Sequence, residues 1–177
     1  MNPIPAIQIN NGLSVAAIGN AALLKRTKTG LLCSRKCPAD KILEAYDRFK
    51  EWASDPNMTV ISGFHSPVEK ECLRLLLKGK ANIIPCPARE IDHMHISKEW
   101  KPALDAGRML ILSPFTEKRS DARTIDRRNH LVAALSETLY IPHAAFAGKL
   151  SIFQASEGGK ELQEDDSEDG DGRRSEI

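Results

Sequence analysis

Apolar residues in this chain fall into short, nearly continuous runs that alternate with segments of helical spacing. Leu13-Ser14-Val15-Ala16-Ala17-Ile18 predicts a buried strand ending in the tight turn Gly19-Asn20. Residues 21–37 read as a loop with one apolar patch at Gly30-Leu31-Leu32. Pro38 suits the first position of a helix with Asp40 in its first turn, and Ile42, Leu43, Tyr46 and Phe49 give that helix a core-facing stripe as far as about Ala53. Met58–Ile61 is a second strand and ends at Ser62-Gly63. Ser66, Pro67 and Glu69 then make a capping box for a helix that buries Val68, Cys72, Leu75 and Leu76 and stops at Gly79. Asn82–Pro85 is a third strand, limited by its proline. A loop holding Arg89, Asp92 and His93 leads to a short helix over 98–105. Met109–Leu112 is the fourth strand and Thr138–Ile141 the fifth. Between these two lie a polar loop from Ser113 to Ile125 and a helix that takes Asp126 as its cap, with Leu131, Ala134 and Leu135 on one face.

Strand, turn and helix repeated in this way, with strands apolar along their whole length, predict a single α/β domain: a Rossmann-like, mostly parallel sheet covered by helices on both faces. Such sheets bind ligands beyond the carboxyl ends of their strands. The residues expected there are Gly19 and Asn20; Ser62, Gly63, Phe64 and His65; Ser113; and Gly148. Small residues let a backbone approach a phosphate closely. Arg127, Arg128 and Asn129, placed by the Asp126 cap in the first turn of the last helix, would face the same edge, as would Lys118, Arg119 and Arg123 from the loop before it. Paired arginines beside free helical N–H groups make sense if an anion sits between them. No G-x-G-x-x-G follows the first strand and no G-x-x-x-x-G-K-[ST] occurs, which weakens ordinary dinucleotide and P-loop readings.

Composition alters this picture in one respect. The formal net charge of +1 conceals an asymmetry, because residues 157–177 hold nine acids and three bases while the rest holds 22 bases and 15 acids. The expected organisation is a basic folded body over 1–156 and an acidic, disordered tail over 157–177. With no apolar run of membrane-spanning length and no basic-then-apolar leader in Met1–Asn11, a cytoplasmic location is expected. Cys33, Cys37, Cys72 and Cys86 are then reduced thiols. Cys33 and Cys37 have a gap that some zinc sites use, but no second ligand pair accompanies them, so neither metal nor cofactor is expected.

Taken in order, Gly-Asn after a strand, Val-Ile-Ser-Gly, Leu-Ile-Leu-Ser-Pro-Phe and Arg-Arg-Asn-His-Leu-Val-Ala-Ala-Leu-Ser resemble the Rossmann-like core of the DNA-processing protein A (DprA, or Smf) family of DNA recombination mediators. That family's first strand ends in Gly-Ser-Arg and its second in Ser-Gly. A later strand ends in Ser-Glu, a helix start reads Arg-Arg-Asn-Arg, and the last segment carries a Ser-Gly-Ser turn. Gly19, Ser62, Gly63, Ser113, Arg127, Arg128, Asn129, Leu135, Ser136 and Gly148 fall on those positions. The resemblance spans roughly Leu13 to Leu150, and Arg127–Ser136 is its most specific part. Asn20 and Ala21 depart from the Ser-Arg of the first turn, and Pro114 stands where an acid is common. The resemblance implies binding of single-stranded DNA in DNA uptake and recombination, a homodimer, and RecA as a candidate partner.

Three readings follow. The first is a binding module that holds single-stranded DNA by its phosphates, with Phe64 and Phe115 as candidate stacking rings. The second is a phosphoribohydrolase-like enzyme acting on a nucleotide, for which Glu69, Glu71 and His65 are the available groups. The third is a domain that holds a small nucleotide without chemistry. Glu69 is better explained as the capping partner of Ser66, and Cys37 as a structural cysteine, so a binding function is favoured over an enzyme.

Overall fold

The computed structural model describes residues 4–9, 12–145 and 148–153. Its strands are β1 (Ile4–Ile9), β2 (Leu13–Gly19), β3 (Thr29–Leu31), β4 (Thr59–Ser62), β5 (Asn82–Pro85), β6 (Leu110–Ser113) and β7 (Thr138–Tyr140). Its helices are α1 (Ala39–Ser54), α2 (Pro67–Lys78), α3 (Lys101–Asp105) and α4 (Ala122–Leu135), with a 3-10 helix at Ala21–Lys25. The acidic tail expected from Glu157 lies outside the described residues.

Four strands in the order β5-β4-β3-β7 are parallel throughout. A second group, β1-β2-β6, is antiparallel. The two groups meet at a parallel bridge between Ile83 and Met109, where the Ile83 N–H donates to the Arg108 carbonyl at 2.9 Å. Successive strand residues alternate between two apolar layers. Leu31, Val60, Ile83 and Ile111 face α1, α2 and α3, whereas Leu32, Ile61, Ile84 and Leu112 face α4 and the segment ending at Phe153. Burial on both faces explains why these strands read as continuous apolar runs.

Several expectations change. The patch at Gly30-Leu31-Leu32 is an inner strand of the parallel sheet, paired with β4 on one side and β7 on the other. Its three residues are too short for periodicity to reveal. Strand β1, unforeseen, forms a hairpin with β2. The stripe on α1 is also rotated. Ala45, Phe49 and Ala53 are buried, while Ile42 and Leu43 are 40% and 69% exposed. Small alanines allow α1 close to the sheet and to α2, and Gly79 at the end of α2 has no room for a Cβ because the Ala53 carbonyl stands 2.1 Å from where it would be.

The expected capping box of α2 is present, with Ser66 Oγ accepting from the Glu69 N–H and Glu69 accepting from the Ser66 N–H. Helix α4 instead begins earlier than its sequence suggests. Asp121, not Asp126, is the cap, accepting from the Thr124 N–H at 2.7 Å while Thr124 Oγ1 accepts from the Asp121 N–H at 2.9 Å. Arg127 and Arg128 therefore sit in the second turn, away from the free N–H groups at the helix start.

Candidate nucleic-acid interface

Strands β3, β4, β5, β6 and β7 all end at one edge of the sheet. Strand β2 runs the other way, with Ala16 opposite Ser113 and Gly19 opposite Leu110. Gly19 and Asn20 consequently lie at the amino ends of the parallel strands, across the sheet from the other candidates. There they have a structural role: the Asn20 N–H donates to the Met109 carbonyl at 3.0 Å and its side-chain amide to the Gly107 carbonyl at 2.7 Å. Gly19 has φ +114 and no room for a Cβ against Met109, which accounts for the glycine without a ligand. The turn that does leave the carboxyl edge is Cys33-Ser34-Arg35 after β3. Its Ser-Arg matches the family's first turn better than Gly19-Asn20 does. Ser34 ties this turn to the segment after β7, its N–H donating to the His143 carbonyl (3.0 Å) and its Oγ accepting from the Ala145 N–H (2.9 Å).

The central feature is Arg128. One turn of helix beyond Thr124, its side chain runs beneath the end of β4 and is only 4% exposed. Its Nε donates to Asn129 Oδ1 at 2.9 Å. Among the described residues no carboxylate lies within ion-pair distance of the guanidinium. Burial pulls this group below its ordinary value, with Glu69 and the Cys86 thiol acting in the opposite sense; arginine remains charged under such a shift. A buried cation without a counter-ion is costly. The guanidinium lines a cavity of about 240 Å³ together with Gly63, Phe64, His65, Arg89, Met94, Trp100 and Ser120. That opening is where an anion can reach it.

Gly63 makes this arrangement possible. A Cβ placed there would lie 1.5 Å from Arg128 Nη1. Gly63→Ala is therefore expected to drive the guanidinium out of its place and to weaken anion binding at least tenfold while the fold persists, which an oligonucleotide titration alongside a circular-dichroism melt would show. The next residue, Phe64, adopts φ 48, unusual for a side chain of its size, and its N–H is held by Ser62 Oγ at 3.1 Å. Ser113 performs the same service at the end of β6, accepting from the Phe115 N–H and donating to the Arg89 carbonyl at 2.6 Å. Those two bonds hold the loops after β5 and β6 as walls of the cavity.

His65 sits at the rim, its Nε2 3.1 Å from Arg35 Nη2. Burial first, then the positive charges of Arg128 and Arg35, hold its pKa below the usual histidine value. Lys118, Arg119 and Arg123 are exposed on the loop and first turn leading to Arg128, and neither Lys118 nor Arg119 makes an ion pair among the described residues. Arg127 faces a different groove. It pairs with Glu117 at 3.3 Å and covers the Phe115 ring at 5.1 Å, so the two neighbouring arginines serve different surfaces. Phe115 is buried beneath Arg127 and not free to stack on a base. Gly148 is near the carboxyl edge, but its N–H already donates to the Ala145 carbonyl at 2.8 Å. Sequence reasoning did not single out Arg35, Arg89 or Trp100 as site residues; for Arg35 the signal was the Ser-Arg pair just after an apolar run.

The enzyme reading loses both of its carboxylates. Glu69 is buried and its oxygens accept from the backbone N–H groups of Cys33 (2.8 Å), His65 (2.7 Å) and Ser66 (3.2 Å). Glu71 is held by Arg74 at 2.9 Å. The larger cavity of about 620 Å³ at the opposite edge is lined by the exposed Lys25 and by Lys28. Lys28, the buried cation there, is bonded to Glu137 and to the carbonyls of Leu24 and Arg26. No group of three or more potential metal ligands occurs among the described residues, and no described helix is long and apolar enough to cross a membrane.

An α/β domain with a parallel four-stranded sheet flanked by helices is a Rossmann-like domain. The sequence profile of the DNA recombination-mediator protein A family matches residues 10–159, and the chain belongs to that family. It is similar to the solved structure of DNA processing protein A from Helicobacter pylori, whose study concerns a single-stranded DNA binding mode. Identity is 20% over 84% of this chain and 70% of that one, with a TM-score of 0.62. It is also similar to DprA from Streptococcus pneumoniae, at 18% identity and a TM-score of 0.65 over 86% of this chain; the match spans 55% of that protein. No curated protein matches the chain.

Proposed function

We propose that this domain binds single-stranded DNA along the carboxyl edge of its sheet, seating a backbone phosphate on Arg128 beneath Gly63. The observation that carries the reading is the buried guanidinium of Arg128, without a carboxylate partner and opening into a cavity. Around it, Lys118, Arg119, Arg123, Arg35 and Arg89 supply positive charge for neighbouring phosphates, and the half-buried Trp100 offers apolar surface to a base, whereas Phe64 is buried in the core layer. Asn129 orients the arginine, and Ser62 and Ser113 hold the turns. The cavity of about 240 Å³ is smaller than the roughly 300–1,000 Å³ of sites that enclose a whole small ligand. It suits one group of a strand that continues along the edge better than a nucleotide swallowed entire.

The test is titration of a labelled oligonucleotide at two salt concentrations. For about four phosphate contacts to a single strand, affinity should fall on the order of 50-fold between roughly 50 and 200 mM salt. Lys118→Ala with Arg119→Ala should make that dependence shallower. Absence of binding at low salt, or tighter binding of a mononucleotide than of the oligonucleotide, would defeat the proposal.

Proton linkage gives an independent check. In the free protein His65 has a lowered pKa, so it is neutral at pH 7. A phosphate beside it favours the imidazolium, so binding takes up a proton and affinity should rise as pH falls from 7 towards 5.5. His65→Gln should flatten this profile. The homodimer and RecA contact implied by family membership are further proposals, tested by light scattering and by co-sedimentation with RecA.

A further inference from the structure

We propose that Cys33 and Cys37 form a modification site, closing reversibly into a disulfide across the turn that carries Ser34 and Arg35. Cys33 follows β3, is 5% exposed and belongs to the core layer with Leu31, Val60 and Val68. Its N–H is fixed by Glu69 Oε1 at 2.8 Å. Bends at Arg35 and Lys36 bring the chain back, so that Cys37, just before Pro38, packs against the same layer. Both cysteines thus meet one apolar layer across the turn that joins them, and burial first and the neighbouring Cys37 second push the Cys33 thiol up to about 12. Cys37 is half-buried and also lines an open surface hollow with Arg35, Lys36, Pro38 and His143. An oxidant in solution can reach it. Cys72 and Cys86, by contrast, are fully buried.

A hydroperoxide is the chemical class of oxidant required. Cys37 sulfur attacks the peroxide and breaks its O–O bond, giving a sulfenic acid and one water when the oxidant is hydrogen peroxide. The Cys33 sulfur then displaces the sulfenic oxygen, forming the S–S bond, and that oxygen leaves as a second water with the Cys33 proton. Two thiols and one peroxide become one disulfide and two waters. A thiol reductant reverses the change by exchange.

The ring so formed contains Ser34 and Arg35. Cys33 is anchored in the core, so the Cys37 end must move towards it and carry the turn along. Arg35 contacts His65 at 3.1 Å, and His65 lines the Arg128 cavity. Oxidation should therefore draw Arg35 away from the nucleic-acid edge and weaken oligonucleotide binding by about three- to tenfold. This consequence rests on the function proposed above; the disulfide does not.

The experiment treats the full chain, natively folded, with hydrogen peroxide, blocks remaining thiols by alkylation, and digests with trypsin. Cleavage after Lys28, Arg35, Lys36 and Lys41 puts the two cysteines on separate peptides, 29–35 and 37–41. The expected result is a cross-linked pair two hydrogens lighter than their sum, absent after dithiothreitol and absent in Cys37→Ser. Separate peptides only, alkylated or oxidised to sulfinic acid, would overturn the modification site whatever DNA binding does. A cross-link with unchanged oligonucleotide affinity would overturn its link to the nucleic-acid edge. Failure of both reduced and oxidised protein to bind DNA would count against the proposed function while the cross-link stood.

Discussion

Arg128→Met is expected to lower affinity for single-stranded DNA by about 30- to 1,000-fold and to leave the melting temperature unchanged or raised. The two effects have one cause. In the free protein the guanidinium is 4% exposed, bonded through Nε to Asn129, and without an acid in ion-pair reach among the described residues. Replacing a buried charge of this sort with an apolar side chain of similar length removes a desolvation cost and is often neutral or stabilising. With a phosphate bound, the same substitution deletes charge-assisted hydrogen bonds at a site shielded from water, worth about 2–4 kcal/mol. Oligonucleotide titration and thermal denaturation of the same preparation check both. A fall in melting temperature with unchanged affinity would make Arg128 a structural residue and remove the anchor from the proposed interface.

Glu69→Ala should give the opposite signature, a large loss of stability. The Glu69 carboxylate is 4% exposed and binds three backbone N–H groups, one from the turn after β3 and two from the turn before α2. Truncation leaves those donors without acceptors in a buried place and frees the end of β3 from the start of α2. Each unsatisfied buried group costs roughly 1–3 kcal/mol and the effects are not fully additive, so about 3–5 kcal/mol is expected. For a chain of this size that corresponds to a melting temperature lower by about 10 °C. Glu69→Gln keeps acceptor oxygen but loses the charge, and should fall between the two. A change below about 1 kcal/mol would mean that the turns hold themselves, without the carboxylate.

Much of the fold was legible because its signals are local. Ser66, Pro67 and Glu69 announce α2 through groups that meet within one turn. The apolar runs at Val60-Ile61 and Ile83-Ile84 announce buried strands since both faces of the sheet are covered. Strand β3 escaped because three residues have no period and because a buried apolar patch inside a loop looks the same along the chain. For helix α4 sequence reasoning took Asp126 as the cap and missed Asp121, whose box is completed by the Thr124 hydroxyl.

By itself the sequence determined the α/β class and the identity of the turns after β4 and β6, and it singled out the segment around Arg127 and Arg128. Only the tertiary structure decided where those residues meet. Apolar periodicity is the same for a strand in either direction, so nothing in Leu13–Gly19 shows that it pairs antiparallel with β6 and carries Gly19 and Asn20 to the far edge. Adjacent residues on an α-helix point about 100° apart, so two like-charged neighbours need not share a surface. Packing of α4 against β3 and β4 turned Arg128 inward beneath Gly63 and left Arg127 outside on Phe115. That choice left one arginine buried beside a cavity with no carboxylate in ion-pair reach among the described residues and made the other a partner of Glu117.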